Sequence, residues 1–129
     1  MPHLVIEYSP GLGADVDISA LCRATYGVMA RNPLFPLGGI RVRAYEASVA
    51  IVADADEENG FVAMTLSVGA GRSKADLHAA GAEIFEAAKS ALARSLSGEN
   101  FALSVNIREI DPDLSWKANP IHARIKRAN

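Results

Sequence analysis

Three residues in this chain have the chemistry to move a proton on an acidic substrate: Pro2, directly behind Met1, and the arginines Arg41 and Arg72. If Met1 is removed, the Pro2 nitrogen becomes a free secondary amine whose lone pair is held in one direction by the ring. The reference pKa of an α-amino group is about 7.7–8.0, and a prolyl amine lies higher. An apolar pocket or a neighbouring cation disfavours the ammonium and lowers the value. Such a group is a base that is neutral near pH 7 and able to return the proton elsewhere. The competing reading is structural: proline is tolerated at the first residue of a strand, although it gives no N–H to the ladder. Proline beside the initiator permits removal of methionine, so the sequence predicts a mature chain that begins at Pro2.

Arg41 follows the Gly-rich bend "PLGGI", and Arg72 sits in "GAGRS" at the entrance to a helix. Glycines let the backbone approach a ligand closely. A helix N-terminus adds donors and positive potential beside Arg72. Arginine grips a carboxylate bidentately, which makes both positions suited to an organic acid. Taken one at a time, each is equally a surface arginine in a salt bridge. Arg43 shares a face with Arg41, and spacing does not choose between them. Leu4, Phe35 and Leu37 are candidates for an apolar wall around the amine.

Other chemistries lack their motifs. There is no Ser/His/Asp motif, and "GLG" and "GAGR" lack the spacing of a nucleotide loop. His3, His78 and His122 have no metal-ligand spacing, and the carboxylates gather in turns. The lone Cys22 lies in an apolar helical pattern and reads as a buried, reduced thiol.

The elements that must carry these residues follow from periodicity. Half of the 129 residues are hydrophobic and 22% are charged, as expected for one globular domain over residues 1–129. A net charge of −2 argues against nucleic acid or an anionic membrane as partner. No apolar run is long enough to span a bilayer, and the N-terminus lacks signal-peptide regions, so a cytoplasmic location is expected. Residues 3–8 read as a strand. Ile18, Leu21, Cys22, Val28 and Met29 show helix spacing behind an Asp17 N-cap, and Pro33 ends the helix. "IRVRAYEA" alternates as a strand, and "DADEENG" is an acidic turn. "FVAMTLSV" is a third strand. Ser73 and Asp76 form a capping box before a helix running roughly from Lys74 to Leu96. "FALSVNIREI" is a fourth strand, and the tail from Asp111 reads as irregular.

This is β-α-β twice, with units at 1–58 and 59–110 and a tail at 111–129. Each unit pairs its strands in parallel through a right-handed crossover. The predicted fold is α+β: a four-stranded mixed sheet with two helices on one face. The bare sheet face, read as rich in apolar residues, would be buried against further copies of the chain.

"MPH", "FPLGGIR", "MTLSVGAGRS" and "NPIHARIK", in this order along most of the chain, resemble the 5-carboxymethyl-2-hydroxymuconate isomerase family of the tautomerase superfamily. The resemblance implies a tautomerase-like homotrimer of tandem β-α-β units, with no metal or organic cofactor. It implies Pro2 as catalytic base and Arg41 and Arg72 as carboxylate partners. The implied reaction moves a proton in an unsaturated 2-hydroxy di- or tricarboxylate. That substrate would be 5-carboxymethyl-2-hydroxymuconate, converted to its 2-oxo isomer in homoprotocatechuate/4-hydroxyphenylacetate catabolism. Another tautomerase acting on a different unsaturated acid, or a non-catalytic oligomer that binds a small acid, are the alternatives. The second unit begins inside the chain, near Phe61, so one chain offers one amine. The loop "SPGLGADVD" does not match the family pattern. Trp116 stands where a smaller aromatic belongs, and it reads as a packing residue.

Overall fold

The computed structural model describes all 129 residues. The chain runs β1 (His3–Tyr8), α1 (Ile18–Arg31), β2 (Arg41–Glu46), β3 (Gly60–Gly69), α2 (Lys74–Ala91), α3 (Ala93–Leu96), β4 (Phe101–Ile110) and α4 (Pro120–Ala128). Helix α1 starts where expected: the Asp17 carboxylate accepts from the Ala20 N–H at 2.9 Å. It ends at Asn32, which turns extended ahead of Pro33. At α2, Ser73 Oγ accepts from the Asp76 N–H at 3.0 Å, so the Ser73 half of the expected capping box is made.

The sheet order is β2-β1-β3-β4. β1 pairs with β2 in parallel, and β3 pairs with β4 in parallel. The two halves join through an antiparallel β1–β3 pair that sets His3 opposite Ser67. The sheet is therefore mixed, and its fold class is the expected one. Leu4, Ile6, Val62, Met64, Leu66 and Val68 alternate onto one face, each at most 1% exposed. They pack with Leu21 and Met29 of α1 and with Leu77, Ile84 and Ala88 of α2 in one core. Each such burial contributes about 1.5–3 kcal/mol before conformational entropy is set against it.

Four expectations need correction. The second helix does not run unbroken to Leu96. Leu92 leaves helical geometry (φ −110°, ψ 17°) while its side chain stays buried, and α3 follows from Ala93. The tail is not wholly irregular. Pro120 occupies the first turn of α4, and Asn119 caps it by accepting from the His122 N–H at 3.1 Å. Cys22 is half-buried rather than buried, and burial still raises its thiol pKa, partly opposed by Arg23. The bare sheet face is not apolar. Its rows read Arg41–His3–Ser67–Arg108 and Arg43–Val5–Thr65–Asn106 across the four strands. Strand alternation sends the apolar half of each strand to the helices and leaves this polar half outside.

Leu66, central in the sheet and fully buried, reports on this core. Leu66→Ala should lower unfolding free energy by about 2–5 kcal/mol. Urea denaturation monitored by circular dichroism measures it, and a loss below about 1 kcal/mol would contradict the packing described here.

Candidate active site

The register of the sheet assembles the site. β1 and β2 start at one edge, and β3 and β4 end there. Pro2 precedes β1, Arg41 opens β2, and Arg72 lies in the turn just after β3. Three positions far apart in sequence therefore meet at one end of the sheet. The chain also leaves β4 at this edge, where the Ala70 N–H bonds the Ile110 carbonyl at 3.2 Å.

Pro2 continues the parallel ladder through its carbonyl, which accepts from the Arg41 N–H at 3.0 Å. The ladder asks nothing of the proline nitrogen. The ring lies on the helix side of the sheet and is almost wholly buried. Gly39 packs on it: a Cβ there would come within 3.0 Å of Pro2 Cδ. Gly38 serves a second contact, because a Cβ there would stand 2.6 Å from His122 Cα of α4. The two glycines of "PLGG" thus let the same bend touch Pro2 on one side and α4 on the other. In the turn before Arg72, Gly71 has φ +114°, a conformation that side chains resist.

Both arginines are held by backbone carbonyls. Arg41 Nη1 donates to the Gly38 carbonyl at 3.1 Å and the Ile40 carbonyl at 3.0 Å. Arg72 Nε and Nη2 both donate to the Leu34 carbonyl, at 3.2 and 3.1 Å, while Nη1 reaches Gly69 O at 3.0 Å. These bonds fix the guanidinium planes and leave the remaining N–H groups free for an anion.

A cavity of about 230 Å³ opens here, lined by Met1, Pro2, Pro36, Gly39, Lys117, Asn119 and His122. Burial is the largest influence on the amino terminus and pushes its pKa down. The charges of Lys117, Arg72 and Arg41, in that order, push the same way. All three cations therefore bear on the point where an amine would act.

The lining differs from the expected wall. Leu4 and Phe35 are buried in the core, and Leu37 is exposed, so none of the three walls the cavity. Trp116 is 86% exposed and packs on nothing within the chain. Arg43 is exposed on the polar sheet face. His78 lies on the outer side of α2, in solvent. His3 occupies the opposite side of the sheet from Pro2. Its buried Nε2 has no hydrogen-bond partner, and burial, then Arg43 and Arg41, lower its pKa.

Sequence reasoning missed Lys117, Asn119 and His122. Asn119 Nδ2 donates to the Gly38 carbonyl at 2.9 Å and touches Met1 Sδ at 3.6 Å, which draws the tail over the proline. The available signal was the join between the halves. Once β1 and β3 are drawn antiparallel, β4 must end beside Pro2 and deliver the tail there.

The family described as 5-carboxymethyl-2-hydroxymuconate isomerase matches residues 2–125. The Escherichia coli 5-carboxymethyl-2-hydroxymuconate Delta-isomerase is 35% identical over 126 residues, covering 98% of this chain and all of that one. The crystal structure of a 5-carboxymethyl-2-hydroxymuconate isomerase from Deinococcus radiodurans R1 is 36% identical. It superposes with a TM-score of 0.88 over 96% of this chain and 93% of its own. Likeness of fold alone extends to a fused 4-OT, a symmetric trimer, at 18% identity. There the TM-score is 0.63 over 86% of this chain and 88% of that one.

The glycine contact carries a prediction. Gly38→Ala forces a methyl group against α4 backbone, so the helix must shift off the bend. Activity should fall at least about tenfold while the sheet core stays folded, since a small misplacement of a reacting geometry costs on that order or more. Steady-state assays paired with circular dichroism check this, and full activity would mean α4 does not shape the site.

Proposed function

This chain belongs to the 5-carboxymethyl-2-hydroxymuconate isomerase family and is an isomerase; from that premise we propose that it uses Pro2, freed of Met1, as the base of a cofactor-independent proton transfer. The substrate is an unsaturated 2-hydroxy acid, 5-carboxymethyl-2-hydroxymuconate, in the breakdown of homoprotocatechuate. The observation that carries this reading is a cavity lined by Met1, Pro2 and Lys117, with Arg72 and Arg41 outside its lining but near enough for their charges to act on the amino terminus.

With Met1 attached, the Pro2 nitrogen is an amide and has no basic lone pair. Removal of Met1 also clears one lining residue of the cavity and turns the nitrogen toward the space left. Pro2 then takes the proton of the 2-hydroxyl group. The electron pair moves through the conjugated chain, and the dienolate takes up a proton at carbon to give the 2-oxo acid. Negative charge builds on the 2-oxygen as its proton leaves, before the pair moves to carbon. Arg41 and Arg72, fixed by the carbonyls of Gly38, Ile40, Leu34 and Gly69, meet that charge and the adjacent carboxylate without reorganising. The same cations disfavour a protonated amine at this end of the sheet, so one set of charges serves both base and substrate.

The reading includes a homotrimer. The buried Nε2 of His3, on the open face of the sheet, has no partner within the chain, and a neighbouring copy packed on that face would supply one.

Intact mass tells whether residue 1 of the purified protein is methionine or proline. Only chains that begin at Pro2 should ketonise the dienol, and equal turnover by chains retaining Met1 removes proline as the base. Arg41→Ala should lower kcat/KM by about a hundredfold, the scale for losing one preorganised donor. Arg72→Ala should lower it at least as much, because it also releases the Leu34 carbonyl.

The pH profile follows from the direction of the amine shift. The burial and cations that lower the Met1 amino terminus bear on a freed Pro2 amine at the same place, so kcat/KM should hold its plateau to a lower pH than an exposed prolyl amine allows. It should then fall as acid protonates the amine. A profile flat down to pH about 4, below any such amine, excludes this base.

A further inference from the structure

Lys117 is the lining cation that the two-arginine scheme leaves without a task. It stands in the segment between β4 and α4, ahead of Asn119. Asn119 pins that segment to the Gly38 carbonyl at 2.9 Å, and Pro120 starts α4 immediately after. The lysine is therefore delivered to the cavity by an anchored backbone. Its ammonium makes no ion pair and no hydrogen bond within the chain; the one ion pair present joins Lys89 and Glu86. Arg41 and Arg72 differ in this respect, since backbone carbonyls take part of each guanidinium.

We propose that Lys117 binds the carboxylate of the carboxymethyl branch and so sets the preference for a tricarboxylate over a dicarboxylate. The assignment rests on the proton-transfer reading above. 5-Carboxymethyl-2-hydroxymuconate carries three carboxylates, and plain 2-hydroxymuconate lacks the branch. Three cations act on the amino terminus, and of these only Lys117 lines the cavity. Two are planar forks on fixed backbone, suited to carboxylates held by the conjugated chain. The third is a point charge on a flexible stem, suited to a carboxylate that swings on a methylene group. The Lys117 ammonium has no carboxylate partner within the chain, and a third substrate carboxylate supplies that counter-charge.

The test compares Lys117→Gln and Lys117→Arg with the wild type on both substrates. Gln should raise KM for 5-carboxymethyl-2-hydroxymuconate by about tenfold, the scale for one charge-assisted hydrogen bond. Its kcat should stay within about twofold, because uniform binding energy is what is removed. KM for 2-hydroxymuconate should move by less than about twofold. Arg, which keeps the charge, should restore most of the lost affinity for the tricarboxylate. Equal loss on both substrates overturns the assignment and makes Lys117 a general cation of the site. No change on either makes it a solvated surface lysine. If the wild type ketonises neither compound, the functional reading fails first and takes this assignment with it.

Discussion

His3 pairs with Ser67 and Tyr8 with Val62, so the two β-α-β units meet along β1 and β3 with opposite directions. This single antiparallel join decides what lies beside what. Had β1 and β3 run parallel, β3 would begin rather than end beside Pro2. Arg72 would then stand at the far edge of the sheet. The tail after β4 would leave from the far edge too, and Lys117 and α4 would cap the other end. The β1–β3 hydrogen bonds thus do more than stabilise a central pair of strands. They bring Pro2, Arg41 and Arg72 to one end of the sheet, beside a cavity of about 230 Å³ that Lys117 also lines.

Two backbone carbonyls hold that arrangement still. The Gly38 carbonyl accepts from Arg41 and from Asn119, linking the start of β2 to the tail. The Leu34 carbonyl accepts two hydrogen bonds from Arg72, linking the loop after α1 to the turn after β3. In each case a charged donor satisfies a loop carbonyl that no helix or strand would otherwise use. The bond that secures the loop also aims the cation. Stability and site geometry therefore share the same atoms, which is why a substitution at Arg72 touches both.

The electrostatics are deliberately one-sided. Burial and three cations all lower the pKa of the Met1 amino terminus, and no carboxylate lines the cavity to oppose them. Such a setting disfavours a protonated amine and favours an anion. Both effects weaken with salt, but those at the buried amine weaken less than those at the exposed Lys117.

Much of this was legible in the residue order. Alternation in "IRVRAYEA", "FVAMTLSV" and "FALSVNIREI" marks strands because a pleated chain sends successive side chains to opposite faces. Asp17 and Ser73 mark helix starts because their side chains satisfy amides the helix leaves open. Local chemistry likewise singles out Pro2, Arg41 and Arg72 as residues able to act on an acid. Other features depend on partners distant in sequence, and no local pattern encodes them. Leu92 breaks a helix because its side chain is committed to the core. The apolar wall expected from Leu4 and Phe35 was claimed by that same core, where full burial from water outweighs lining a cavity open to solvent. Lys117, Asn119 and His122 join the site only because Asn119 finds the Gly38 carbonyl across most of the chain. The sequence by itself determined the elements and the reactive groups, since those follow from spacing and side-chain type. The tertiary structure alone decided which of those groups meet, because strand direction and register are settled by contacts between the halves.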